Sequence, residues 1–476
     1  MSSATIRRYP VRLALAVALA AGTLACRPGG APAVESPPPA PPGGTAAACT
    51  APAAWFPHDQ TPQPDDDADF TSNCMFHQWS WQSFLWLTQT MPDGQLRFET
   101  FARPSEMLPD DGTPPAYDGR SLATRLVFMP RKSKQEEPTM LDEVNQAGSL
   151  GLLVDQDERS VYYSMYVNDV FYDFVRDHRL YDPEKLAATS PTLDFPVGAM
   201  ELKAAWKIVE EADASAGWST RQATIAALSE EDGVVVVSPT ETQEVTVALV
   251  GLHVAGVVKG HPEFIWATFE HDENAPTLSD AQLAAFLNPR DSKIMDQPVS
   301  PESFTFYAAG TTFADSNQNN AGQLDLDQAE QTLTPVTNIF IQYAQGGGSA
   351  DNRGNVQSLN ASVLAQLDDP VFSHYYLGGA IWLAANDGLV PDSTLQDLIT
   401  GSTDLSNVTM ETFTQKVLEQ RNCFGCHNTM QRFPPTTGTG VAPLPGLDVS
   451  VSHILVNHYF QASQRELAAG EAQEGE

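Results

Sequence analysis

Five residues close to the C-terminal end constrain this chain more than anything else in it: Cys423-Phe424-Gly425-Cys426-His427. Two thiols three positions apart, followed at once by an imidazole, make the pattern C-x-x-C-H. That spacing lets each thiol add to one vinyl group of haem b, giving two thioethers, while the histidine is aimed at the iron from one face. Competing chemistries need more than the sequence holds. Zinc wants a second Cys/His pair at ligand spacing, and none is present. A thioredoxin-type C-x-x-C belongs at a βα turn early in a domain, not near the end of the chain. The expected cofactor is therefore one covalent haem c, bound through Cys423 and Cys426, with His427 as the proximal iron ligand.

Attachment of this kind follows export, and the N-terminus reads as an export address. Arg7, Arg8 and Arg12 form a positive region ahead of an apolar run from Leu13 to Leu24, too short to span a bilayer. Residues 1–25 are read as a signal peptide of the general secretory type. Thr23-Leu24-Ala25-Cys26 is similar to a lipobox, which would leave Cys26 lipidated and N-terminal. Residues 26–70, rich in Pro, Ala and Gly, then read as an extended tether. The location that follows is the periplasm or cell surface, on a membrane-anchored lipoprotein. Cys49 and Cys74 are left over. An oxidising compartment favours bridging such a pair, but neither cysteine carries a signature of its own, so the sequence leaves the bridge open.

Charge excludes one class of partner. With 26 basic residues against 60 acidic ones the chain carries −34, which repels phosphate backbones and argues against nucleic acid. The same surface suits a basic redox partner, or serves solubility.

Between tether and motif, hydrophobic patterning predicts an α+β domain over 71–400. Phe76, Trp79, Trp81, Phe84, Leu85, Trp86 and Leu87 predict an aromatic core helix over Met75 to Leu87. Short β-like runs stand at 126–129 and 161–163, a helix at 167–180 with Pro183 as its stop, and strands at 198–209 and 234–237. Glu244 to Trp266 reads as a buried strand pair turned at Lys259-Gly260-His261-Pro262. Asp315, Asn317, Asn319 and Asp327 are out of register for a calcium loop. Ala361 to Ala385 is expected to be mainly helical, broken at Pro370. Residues 401–476 complete the fold as a short, mainly helical haem-binding segment with an acidic tail, packed against the large mixed domain. Ser406 and Asn407 are good N-caps and Glu411 suits a first turn. Met410, Phe413, Val417 and Leu418 then recur at helical spacing, predicting a helix that feeds the motif.

The sixth iron position has no evident owner. Met430 stands too close to His427 to reach the opposite face. His453 and His458 downstream, and His253, His271, His374 and Met410 upstream, are the remaining side chains, of which His253, His271 and Met410 are carried forward as distal candidates. Two strong axial ligands favour electron transfer, whereas an open iron admits a small molecule.

Several stretches resemble those of bacterial cytochrome c family proteins with a large haem-free N-terminal region and a single C-terminal haem motif. They are Trp79 to Leu85, Glu201 to Trp206, Gly251 to Val254, Trp266 to Asn274, and Asn407 to Thr412 leading into Cys423 to His427. The resemblance implies haem c and an extracytoplasmic location, with no assured substrate. It draws attention to His253 and to His271 among its acidic neighbours, which could orient a ring by a carboxylate or form a surface ion-pair cluster. The leading expectation is an exported monohaem cytochrome for electron transfer. Two others stand beside it: a peroxidase-type haem oxidoreductase with an open distal site, and a lipoprotein binding module whose haem is structural.

Overall fold

A computed structural model describes residues 48–109, 113–115, 126–128, 152–210, 217–231, 234–288, 290, 293–320, 323–384, 388–415, 421–434 and 440–474. The expected signal peptide, the lipobox and the first part of the expected tether lie outside them. From residue 48 onward the chain forms one compact unit.

One eight-stranded sheet organises that unit. Its strands are β1 (Leu126–Phe128), β2 (Tyr162–Val167), β3 (Met200–Val209), β4 (Thr220–Glu231), β5 (Val234–Val258), β6 (His261–His271), β9 (Tyr375–Leu383) and β10 (Ile399–Gly401), while β7 (Asp325–Asp327) and β8 (Thr332–Thr334) pair separately. The 25-residue β5 is the spine. Antiparallel β4 and then β6 run along one of its edges, and β3 along the other: Val247 pairs both Arg221 and Ile208, and Leu252 pairs both Phe269 and Ala204. The expected strand pair is present, turned at Lys259-Gly260, with Gly260 at φ +78° where a side chain would be strained.

Alternation along the strands gives the sheet two different faces. Leu252, Val254, Ile265, Ala267 and Phe269 point to one side. There they meet α1 (Asn73–Leu87) and, further along, α6 (Ala350–Leu364). Helix α1 is the expected aromatic helix; Phe76 stacks on Trp382 with centroids 3.9 Å apart, and Phe84 on Phe269 at 4.3 Å. Ala255, Val257, Phe264 and Trp266 point to the other side and pack on Phe424, Leu447, Val451 and Ile454 of the C-terminal segment, which closes with α7 (His453–Glu474). Short helices α2 (Pro104–Met107), α3 (Asp169–Asp177), α4 (Pro183–Ala187) and α5 (Asp280–Phe286) complete the described helices. The chain is thus mixed α and β around a large, mainly antiparallel sheet.

Four expectations change. Residues 48–58 are packed chain rather than tether: Cys49, Ala51 and Trp55 are buried, and a disulfide joins Cys49 to Cys74 at the start of α1. Pro183 opens α4 rather than stopping α3, with Asp182 accepting from the first free amides. Tyr375–Leu383 is a strand, not the second half of a helix, because the open edge of β6 pairs it and Gly378 and Gly379 weaken any helix there. Residues 408–415 form successive turns instead of a helix, and 416–420 fall outside the described residues. Tertiary hydrogen bonds outcompete helix propensity at those turns: the Asn407 amide donates to Thr268 Oγ1 and to the Phe269 carbonyl, and Val408 N–H donates to Glu270.

Candidate functional site

Cys423–Gly425 is a single 3-10 turn, and the amides of Cys426 and His427 both donate to the Cys423 carbonyl, at 3.1 and 2.8 Å. The second bond spans four residues, so the turn opens to α-type at His427, and residues at i, i+3 and i+4 of an α-type turn lie on one face. Phe424 points oppositely and is fully buried; Asn428 donates back to its carbonyl at 3.1 Å. Arg432 holds the outside of the turn through the carbonyls of Cys426 and Asn428.

Both thiols are free, Cys426 exposed and Cys423 half-buried. Burial nevertheless pushes each thiol pKa up and His427 well down. His427 Nδ1 lies 2.8 Å from the Val451 carbonyl, an acceptor, which puts the ring hydrogen on Nδ1 and the lone pair on Nε2. Its ring is held between Trp266 of β6 at 4.1 Å and His453 at 4.0 Å. These are the features a covalent haem needs: two free thiols on one face, and an imidazole whose outer nitrogen is committed to a carbonyl. The residues present fit the group.

The distal candidates separate. His253 of β5 stands opposite Thr268, on the sheet face that Trp266 presents to His427. Its Nε2 lies 3.1 Å from Glu411 Oε1, within hydrogen-bond distance. Burial raises the Glu411 pKa, but His253, Lys203 and the Asn407 amide together outweigh it and the net shift is downward. Lys203, across the sheet from His253, shares this field, and His253 and Lys203 both help to depress His427. His271 ends β6 in a different cluster, with Trp218, Asp272 and His374. Met410 is buried among Val408, Phe413 and Ile339, in an apolar cluster distinct from the one around the motif.

The downstream histidines are committed elsewhere. His453 donates to the Cys426 carbonyl at 3.0 Å and lies flat against His427, beside it rather than across from it; burial takes its pKa down to about 4. His458 is buried and 2.6 Å from the Tyr181 carbonyl. Sequence reasoning did not find Lys203, the partnership of Glu411 with His253, or Trp266 as a wall for His427. Strand alternation from His253 was the one signal for them, and it needed the register of β3 and β6.

No protein-family model matches the chain, and neither a curated protein nor a solved structure is detectably similar to it.

Proposed function

We propose that this chain is an exported, monohaem c-type cytochrome that carries electrons, anchored at Cys26 and facing the periplasm or cell exterior. One observation carries the reading: Cys423, Cys426 and His427 occupy one face of a turn, both thiols free and His427 Nδ1 committed to the Val451 carbonyl. A bound haem supplies reversible one-electron chemistry at its iron. The chain's own part is to hold it. Cys423 and Cys426 Sγ form the thioethers; His427 Nε2 is the proximal donor, fixed by Val451, Trp266 and His453. The resemblance to bacterial cytochrome c family proteins favours the same reading, and the Cys49–Cys74 bridge suits an oxidising compartment. The acidic chain suits a basic redox partner.

The test is co-expression with a cytochrome c maturation system. Haem should stay with the denatured polypeptide and give a c-type pyridine haemochrome; Cys423→Ser with Cys426→Ser should abolish it. Protein that matures without covalent haem refutes the proposal.

A peroxidase-type oxidoreductase is the second reading, favoured by Lys203, His253 and Glu411 gathered beside the motif. Low-spin haem indifferent to cyanide and peroxide would leave electron transfer alone. High-spin haem that reacts with peroxide, and loses that reactivity in His253→Ala, would favour the enzyme.

A further inference from the structure

His271, Asp272 and His374 form a second cluster, on the last residues of β6 and the turn that leads into β9. Its geometry is set by backbone. His271 pairs with Tyr375 in the β6–β9 ladder, and the Asp272 amide donates to the His374 carbonyl at 2.9 Å. The two imidazoles lie nearly parallel, centroids 5.3 Å apart and 10° from coplanar orientation. Trp218 stacks on His271 at 3.5 Å. Gly217 gives His374 its room: a Cβ there would lie 2.6 Å from His374 Cδ2, and its φ of +79° suits glycine.

Hydrogen-bond accounting then leaves a gap in the cluster. His271 Nε2 lies 3.2 Å from the Gly217 carbonyl, which can only accept, so the ring hydrogen is on Nε2. His271 Nδ1 accepts the Glu273 amide hydrogen at 3.1 Å and therefore carries a lone pair. That same Nδ1 is 3.3 Å from Asp272 Oδ1, another acceptor. Two electron-rich atoms face each other with no hydrogen between them. His374 Nδ1 completes the triangle, 3.2 Å from both Asp272 oxygens. One nitrogen from each histidine and one carboxylate oxygen all lie within 4.8 Å of one another.

We propose that His271, Asp272 and His374 bind a divalent transition-metal ion of the zinc class. On binding, the cation would take the His271 Nδ1 lone pair from the Glu273 amide hydrogen and replace the acceptor–acceptor contact with Asp272 Oδ1 by two coordinate bonds. Two imidazoles and one carboxylate are a ligand set that divalent transition ions accept, with remaining positions left to solvent or a substrate. Asp272 and His374 are half-exposed, so those positions open outward. The bond from His271 Nε2 to the Gly217 carbonyl is the outer-shell bond that holds a ligating histidine's tautomer. This site stands independently of the haem reading, because its ring contacts, hydrogen bonds and ion pairs run to Trp218, Gly217, Glu273 and Tyr375 rather than to Cys423, Cys426 or His427.

The experiment uses mature protein without a histidine tag, treated with chelator, and titrated calorimetrically with Zn²⁺ and spectroscopically with Co²⁺. One ion per chain is expected, with Co²⁺ giving visible ligand-field bands. His374→Ala and Asp272→Asn should each weaken Zn²⁺ binding about tenfold or more. Both groups face solvent, and unchanged circular dichroism would confirm that the variants fold. Asp280→Asn, an exposed carboxylate elsewhere, should leave binding unchanged. Cys423→Ser with Cys426→Ser should also keep it. Absence of stoichiometric binding overturns the proposal, as does binding that survives Asp272→Asn and His374→Ala or is lost with the two cysteines.

Discussion

Glu270 is a carboxyl buried between β6 and the 407–411 turn. Val408 N–H donates to its Oε1 at 3.0 Å, and the Asn274 side chain lies beside it; its Oε2 makes no geometrically defined hydrogen bond among the described residues. Burial pushes Glu270 from 4.5 up to about 8. Burial also lifts Glu201, to which Ser452 donates, to about 7, and Asp155 to about 7. An acid whose pKa is raised by folding stabilises the fold fully below its unfolded value and loses that contribution as pH rises through its folded value. Histidines held neutral act in the opposite sense: His271, depressed to about 3 by burial, contributes fully above 6.5 and loses its contribution as pH falls towards its folded value. Above neutrality only the acids are still titrating. Stability should therefore peak in mildly acidic solution and fall by about 1–3 kcal/mol from Glu270 alone between about pH 6 and 9. Urea melts across that range test this, and Glu270→Gln should flatten the decline.

Among the elements, contact between β5 and the 407–411 turn ties the motif's segment to the sheet. Gly251 makes the approach possible: a Cβ there would lie 2.5 Å from Thr409 Oγ1 and 3.1 Å from Asn407 Nδ2. Gly251→Ala should cost about 1–3 kcal/mol by overpacking, read as a lower urea midpoint, and should reduce the yield of matured protein. This element-scale contact also shows what patterning could reach. Helix α1 was legible because its aromatics recur at helical spacing, and the β5–β6 pair because its apolar run ends in Lys259-Gly260. Tyr375–Leu383 is ambiguous in sequence, since Tyr376 and Trp382 suit either a helix or a strand, and pairing with β6 decides it. At 408–415 the caps and periodicity around Asn407 and Glu411 suit a helix that the bonds to Thr268, Phe269 and Glu270 prevent.

For the whole molecule, the Cys49–Cys74 bridge fixes the entry of the packed chain to α1. Ala51 N–H donates to Ser362 of α6, and His58 lies 2.8 Å from the Leu85 carbonyl of α1, so this entry strap joins both helices. Replacing both cysteines by serine should destabilise the fold by about 2–4 kcal/mol, measured by denaturant melts of the oxidised protein against the variant. Upstream of the strap, Cys26→Ser should move the protein from membrane to soluble fractions if lipid is attached there; unchanged partitioning would refute the anchor. Among the described residues no helix is long and apolar enough to cross a membrane.

By itself the sequence set the spacing of Cys423, Cys426 and His427, since spacing within five residues is a local property. It also determined which helices and strands carry strong periodicity. Only the tertiary structure decided what surrounds those groups. Trp266, His253 and Glu411 come to the motif from strands and turns more than 10 residues away in sequence, and His374 comes to Asp272 across 102 residues. Such meetings depend on register, because a slip of one residue along β5 or β6 would turn His253 and Trp266 to the opposite face of the sheet.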